Sequence, residues 1–81
     1  MSDYAFAPRE YQDLTAYAHA SVSVNYVIEI SIYVFNADAE SVLDYRKRLI
    51  TDDDIEDVVE QEFTEAFKQA VRKQKVSDDN E

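Results

Sequence analysis

The sequence predicts an α+β domain, in which a small antiparallel β-hairpin or sheet (about residues 15–24 and 26–35) packs against two C-terminal helices (about 39–50 and 52–74). Three observations carry this reading. Every even position from Leu14 to Val34 is apolar, the period-2 pattern of a strand with one buried face. Thr51 followed three residues later by Asp54 has the form of a capping box. Beyond it Ile55, Val58, Val59, Phe63, Ala66, Phe67, Ala70 and Val71 recur at helical spacings as one broad apolar stripe.

Residues 1–7 carry no periodic signal and read as a disordered tail. Pro8-Arg9-Glu10 suits a helix start. Residues 9–20 then fit either a helix or the first arm of the alternating segment. Length decides part of this. A single strand from Leu14 to Phe35 would span roughly 70 Å at about 3.3 Å per residue, whereas a chain of this size has a radius of gyration near 12 Å. The segment therefore either turns or begins as a helix. A turn that keeps even positions on one face needs an odd-numbered loop, and Ser23-Val24-Asn25 supplies one, with Asn25 at the left-handed position. That register would pair Val22 with Tyr26, Ala20 with Ile28 and Ala18 with Ile30, each small residue facing a large one.

After Phe35, Asn36-Ala37-Asp38 has turn chemistry, and Asp38 would cap a helix from Ala39 to about Ile50. The last helix should end near Gln74, leaving residues 76–81 as a second disordered tail. Glu56 and Glu62 fall inside its apolar arc, where an unpaired carboxylate would cost several kcal/mol. Arg46, on the apolar side of the preceding helix, is the expected partner; a second chain is the rival one. The odd face of the strand, with Val27, Tyr33 and Phe35, is too apolar for open solvent. It should lie under the N-terminal segment or form a subunit contact.

Composition narrows the function classes. The chain has 81 residues, one domain's worth (1–81), and no cysteine, so neither disulfides nor thiolate metal sites are available. Such a small core gives thin stability, which favours oligomerisation or partner binding. No membrane span or secretory leader is legible, which places the chain in the cytoplasm. With no Gly-rich phosphate loop, no Cys and a single His, there is little from which to build a catalytic constellation, so no enzyme and no cofactor are expected. His19 reads as an ordinary surface residue. Asp52-Asp53-Asp54 fails the calcium-loop pattern, because the sixth and twelfth positions hold Asp57 and Phe63; no metal is expected.

Charge is the remaining signal. There are 18 acidic and 8 basic residues, a net charge of −10, which repels nucleic acid and anionic membranes and attracts basic proteins. Eight carboxylates and no cation lie between Asp52 and Glu65. The first-turn acids oppose the positive end of the helix dipole, but the run exceeds what capping needs. A helical wheel turns Asp54, Asp57 and Glu65 to solvent, with Asp53 and Glu60 on the flank. Side chains one turn apart lie about 5–6 Å from each other, close to the phosphate spacing of a nucleic-acid strand. Asp53, Asp54, Asp57, Glu60 and Glu65 are thus the candidate partner-binding residues.

In size, charge and the ridge Asp52–Glu65, the chain resembles the small acidic inhibitor proteins of phages and mobile elements, the anti-CRISPR and DNA-mimic type. Asn36-Ala37-Asp38-Ala39-Glu40-Ser41, after a long alternating strand, is also similar to a helix start found in small phage and plasmid proteins. The downstream Val42-Leu43-Asp44-Tyr45-Arg46 departs from that pattern. These resemblances imply a stoichiometric inhibitor that docks an acidic helix on a basic nucleic-acid-binding protein without touching nucleic acid itself. The alternatives are a homodimeric structural or accessory protein whose charge serves solubility, and an immunity protein or antitoxin for a basic toxin.

Overall fold

The computed structural model describes residues 2–79, with side chains described as far as Gln74. It contains a five-stranded antiparallel sheet and one helix, in the order β1 (Ser2–Ala5), β2 (Arg9–Tyr11), β3 (Leu14–Val22), β4 (Val27–Phe35), β5 (Ser41–Ile50) and α1 (Ile55–Asp79). Strands β3, β4 and β5 form a meander, and β1 and β2 lie end to end along the free edge of β3.

The alternating segment does turn. Its two arms pair in an even-sum register through a three-residue loop, but the loop is Val24-Asn25-Tyr26, so Val22 meets Ile28, Ala20 meets Ile30 and Ala18 meets Ile32. Small still faces large. The left-handed position falls on Tyr26 (φ 61°), not Asn25. Residues 9–20 are strand, with Gln12 (φ 57°) turning β2 into β3. Residues 2–5, expected in a loose tail, form β1, and α1 continues past Gln74 to Asp79. The tail expected at 76–81 lies outside the described residues from 80 onward.

The main correction concerns residues 39–50. They form no helix, so the two-helix architecture is replaced by a mostly β fold with a single helix. Asn36 is the local reason. Its Oδ1 accepts bonds from the Asp38 and Glu40 backbone N–H groups, both at 3.0 Å, and its Nδ2 donates to Glu40. This closes a hairpin loop, Ala37-Asp38-Ala39, where a helix cap was expected. The chain then pairs with β4 from Ser41 to Ile50, with a bulge beside Phe35. That register places Leu43, Tyr45, Lys47 and Leu49 on the face of Val34, Ile32, Ile30 and Ile28.

Ala39 sits at φ 62° in this loop, a conformation that crowds its Cβ against the carbonyl oxygen. The chain has no glycine, and three left-handed positions among the described residues are filled by Gln12, Tyr26 and Ala39. Ala39→Gly is therefore expected to stabilise the protein by about 1 kcal/mol. That gain corresponds to a midpoint rise of roughly 4–8 °C in thermal denaturation.

The core lies between one sheet face and α1. Leu14, Ile28, Ile30, Ile32 and Val34 from the sheet, with Val59 and Phe63 from the helix, are nearly or fully inaccessible. Ala16, Ala18 and Ala20 of β3 and Ala66 and Ala70 of α1 are also buried, and their small side chains let the helix approach the sheet closely. The helix begins one turn fragment later than the Thr51 capping box implied. Asp54 is the cap: its Oδ1 faces the Glu56 N–H at 3.4 Å and its carbonyl accepts the first helical bond, from Val58, at 3.1 Å. Thr51 instead accepts the Asp53 N–H in a local side-chain turn.

Candidate functional site

The carboxylates of the expected ridge do not share one face. Glu60 sits against β2, where it takes a bidentate pair of bonds from Arg9 at 2.6 and 2.5 Å. The hydrogen bonds of this pair, opposed by burial and aided by the smaller charge attraction, hold the Glu60 carboxyl below and the Arg9 guanidinium above their ordinary ranges. Its contribution to stability is therefore present at neutral pH and fades as acid titrates Glu60 through its lowered folded-state pKa. Glu65 is half-buried on the opposite flank, near Tyr45, and accepts a bond from Gln69. Asp54 is engaged as the N-cap. Of the five residues read from the sequence, Asp53 and Asp57 remain as exposed carboxylates without a bonding partner.

They belong to a different grouping. Asp52, Asp53, Asp54, Glu56 and Asp57 crowd one end of the molecule, all exposed, and among the described residues no cation pairs with any of them. The Thr51 N–H donates to the Tyr26 carbonyl at 3.1 Å, which ties this acidic turn to the β3–β4 loop. That loop exposes Val24 by 84% and Tyr26 by 63%, and Ile50, next to Thr51, is exposed by 80%. Three large apolar side chains thus flank five carboxylates. Sequence reasoning missed the apolar part because Val24 and Tyr26 continue the even-position pattern of the core.

Glu62 is paired internally, though not by Arg46. The strand register turns Arg46 to the open sheet face, where it pairs with Asp44 at 3.5 Å. Glu62, 7% exposed, instead accepts a 2.6 Å bond from the Tyr45 hydroxyl and lies 3.5 Å from the Lys47 ammonium. Burial, with the Glu62 bond and charge behind it, pushes the Tyr45 phenol well above its usual range. Glu56 is not in the core; it is exposed in the first turn.

The face of the sheet away from α1 carries Tyr17 and Phe35 edge to face, centroids 5.8 Å apart, with His19 exposed between neighbouring strands. The N-terminal strands extend the sheet and do not cover this face. Among the described residues no group of His, Cys, Asp or Glu is placed to hold a metal ion, and no helix is long and apolar enough to cross a membrane. No family model matches the chain, and neither a curated protein nor a solved structure does.

Proposed function

We propose that the protein is a non-enzymatic binding protein that uses the acidic, apolar-flanked end of the fold to dock on a basic surface of a partner, in the manner of an inhibitor occupying a nucleic-acid-binding groove. The observation that carries this reading is the juxtaposition of unpaired Asp52, Asp53, Glu56 and Asp57 with exposed Val24, Tyr26 and Ile50. Charge alone steers encounter and raises the on-rate. Desolvated aromatic and aliphatic anchors hold a complex together. This end of the molecule has both, and the acid cluster is compact, not a ridge along the helix.

The test uses Asp52→Lys/Asp53→Lys, which leaves the Asp54 cap and the first helical turn intact. Tagged wild type in nuclease-treated bacterial lysate should retain a basic nucleic-acid-binding protein that excess duplex DNA displaces. Against that purified partner, the double variant should bind at least about tenfold more weakly, a loss of about 1.4 kcal/mol. The difference should narrow as salt rises from about 0.1 M to 1 M and the screening length falls from about 10 Å to 3 Å. Failure to capture such a protein, or capture indifferent to the two reversals, would overturn the reading.

A further inference from the structure

The distribution of the seven cations whose side chains are described is uneven in a way that the acidic end does not explain. Arg9, Arg46, Lys47 and Arg48, all on the sheet, each have a carboxylate within 4 Å. Lys68, Arg72 and Lys73, all on the C-terminal half of α1, appear in no ion pair among the described residues. Lys68 and Arg72 border an open groove of about 490 Å³ whose apolar lining is Tyr11, Phe67 and Val71. In a chain of net charge −10, unpaired cations beside apolar surface mark a place that an acidic partner fits.

The same helix supplies that partner. Its outward strip runs through Asp57, Gln61, Thr64 and Lys68 to Arg72, all exposed, at spacings of three and four residues. The strip is negative at the N-terminal end, neutral at Thr64 and positive at the C-terminal end. Reversing its direction therefore produces its own complement, which is the property a two-fold interface requires. We propose that two copies associate through α1, laid antiparallel about an axis at Thr64. Asp57 of each copy then stands opposite Arg72 of the other, and Gln61 opposite Lys68. Thr64 allows close approach at the axis, since it is short and its hydroxyl is already bonded to the Glu60 carbonyl at 3.3 Å. The Phe67–Val71 groove beside the seam is covered in the same step.

This contact shares Asp57 with the acidic end but does not use Asp52 or Asp53, whose reversal tests the docking of a basic partner, so the two tests can fail separately. It is also distinct from a dimer through the open sheet face. Sedimentation equilibrium at about 0.15 M salt, where the screening length is about 8 Å, tests it with two variants, Asp57→Lys and Lys68→Glu/Arg72→Glu. The altered side chains are exposed, and far-UV circular dichroism checks that the helix is retained. Wild type should dimerise, and each variant alone should do so at least about tenfold more weakly. An equimolar mixture should recover wild-type affinity as a heterodimer, because the introduced lysine meets the introduced glutamates at one end while the native pair meets at the other. Net charge alone predicts the opposite for Asp57→Lys, which makes the chain less acidic and should favour association. A monomeric wild type, a dimer insensitive to either reversal, or a mixture that fails to recover would each overturn the proposal.

Discussion

Phe63→Ala is expected to destabilise the protein by about 3–5 kcal/mol, the range for truncating a buried aromatic side chain. Phe63 is 3% exposed at the centre of the helix–sheet contact, so the lost ring leaves a cavity that neighbouring Ala66 and Ala70 are too small to fill. Its loss also removes the ring over which the Arg9 guanidinium lies, 5.2 Å from the centroid. Arg9 is bonded at the same time to Glu60, so ring, cation and carboxylate together fasten β2 to α1. For a domain whose total stability is of order 5–15 kcal/mol, the variant should be close to unfolding at room temperature. Urea denaturation followed by circular dichroism measures this. Phe67→Ala, at a half-buried position on the same side of the helix, serves as the milder comparison; a loss at Phe63 no larger than at Phe67 would contradict this account of the core.

The second large effect is expected from stripping Glu62 of both partners. Tyr45→Phe/Lys47→Met leaves a carboxylate inside the helix–β5 contact with no hydrogen bond or cation, and should cost about 3–5 kcal/mol at pH 7. Adding Glu62→Leu should recover most of the loss at pH 7, since an apolar side chain needs no partner there. Denaturation curves at pH 7, with and without the leucine, check both parts. A deficit that the leucine does not relieve would mean that Glu62 is not the group left bearing the cost.

These same residues explain what the sequence revealed and what it concealed. The β3–β4 hairpin was readable because Val, Ile and Ala alternate without interruption, and parity required an odd loop. The loop itself moved by one residue: the left-handed position falls on Tyr26 instead of Asn25, and Val22 pairs with Ile28. Strand β5 was hidden by Lys47. A cation on the core face broke the alternation of Leu43, Tyr45 and Leu49, and the segment looked helical. Lys47 faces inward because Glu62 is there, and Glu62 tolerates burial because Lys47 and Tyr45 reach it. Each residue makes the other look misplaced, so neither is legible until strand and helix are brought together. The acidic cluster was visible as composition, but its division among a cap, an Arg9 pair and an exposed end depends on neighbours far along the chain.

The arrangement of β1 and β2 along β3 grades the molecule by how readily its parts open. Strand β4 is hydrogen-bonded on both sides and lies beneath α1, so its amides are released only when the whole domain unfolds. Strand β1 leans on β3 alone, and all four of its side chains are exposed, so detaching it breaks a few hydrogen bonds while returning little apolar surface to water. β2 is the firmer half of that edge, anchored by Arg9 on Glu60 and by Tyr11 against Phe67 at 5.6 Å. The border of the sheet is thus expected to come undone in order, first β1, then Phe6, which packs against the core, together with β2. A bare end of β3 is the partly unfolded form that this grading makes easiest to reach.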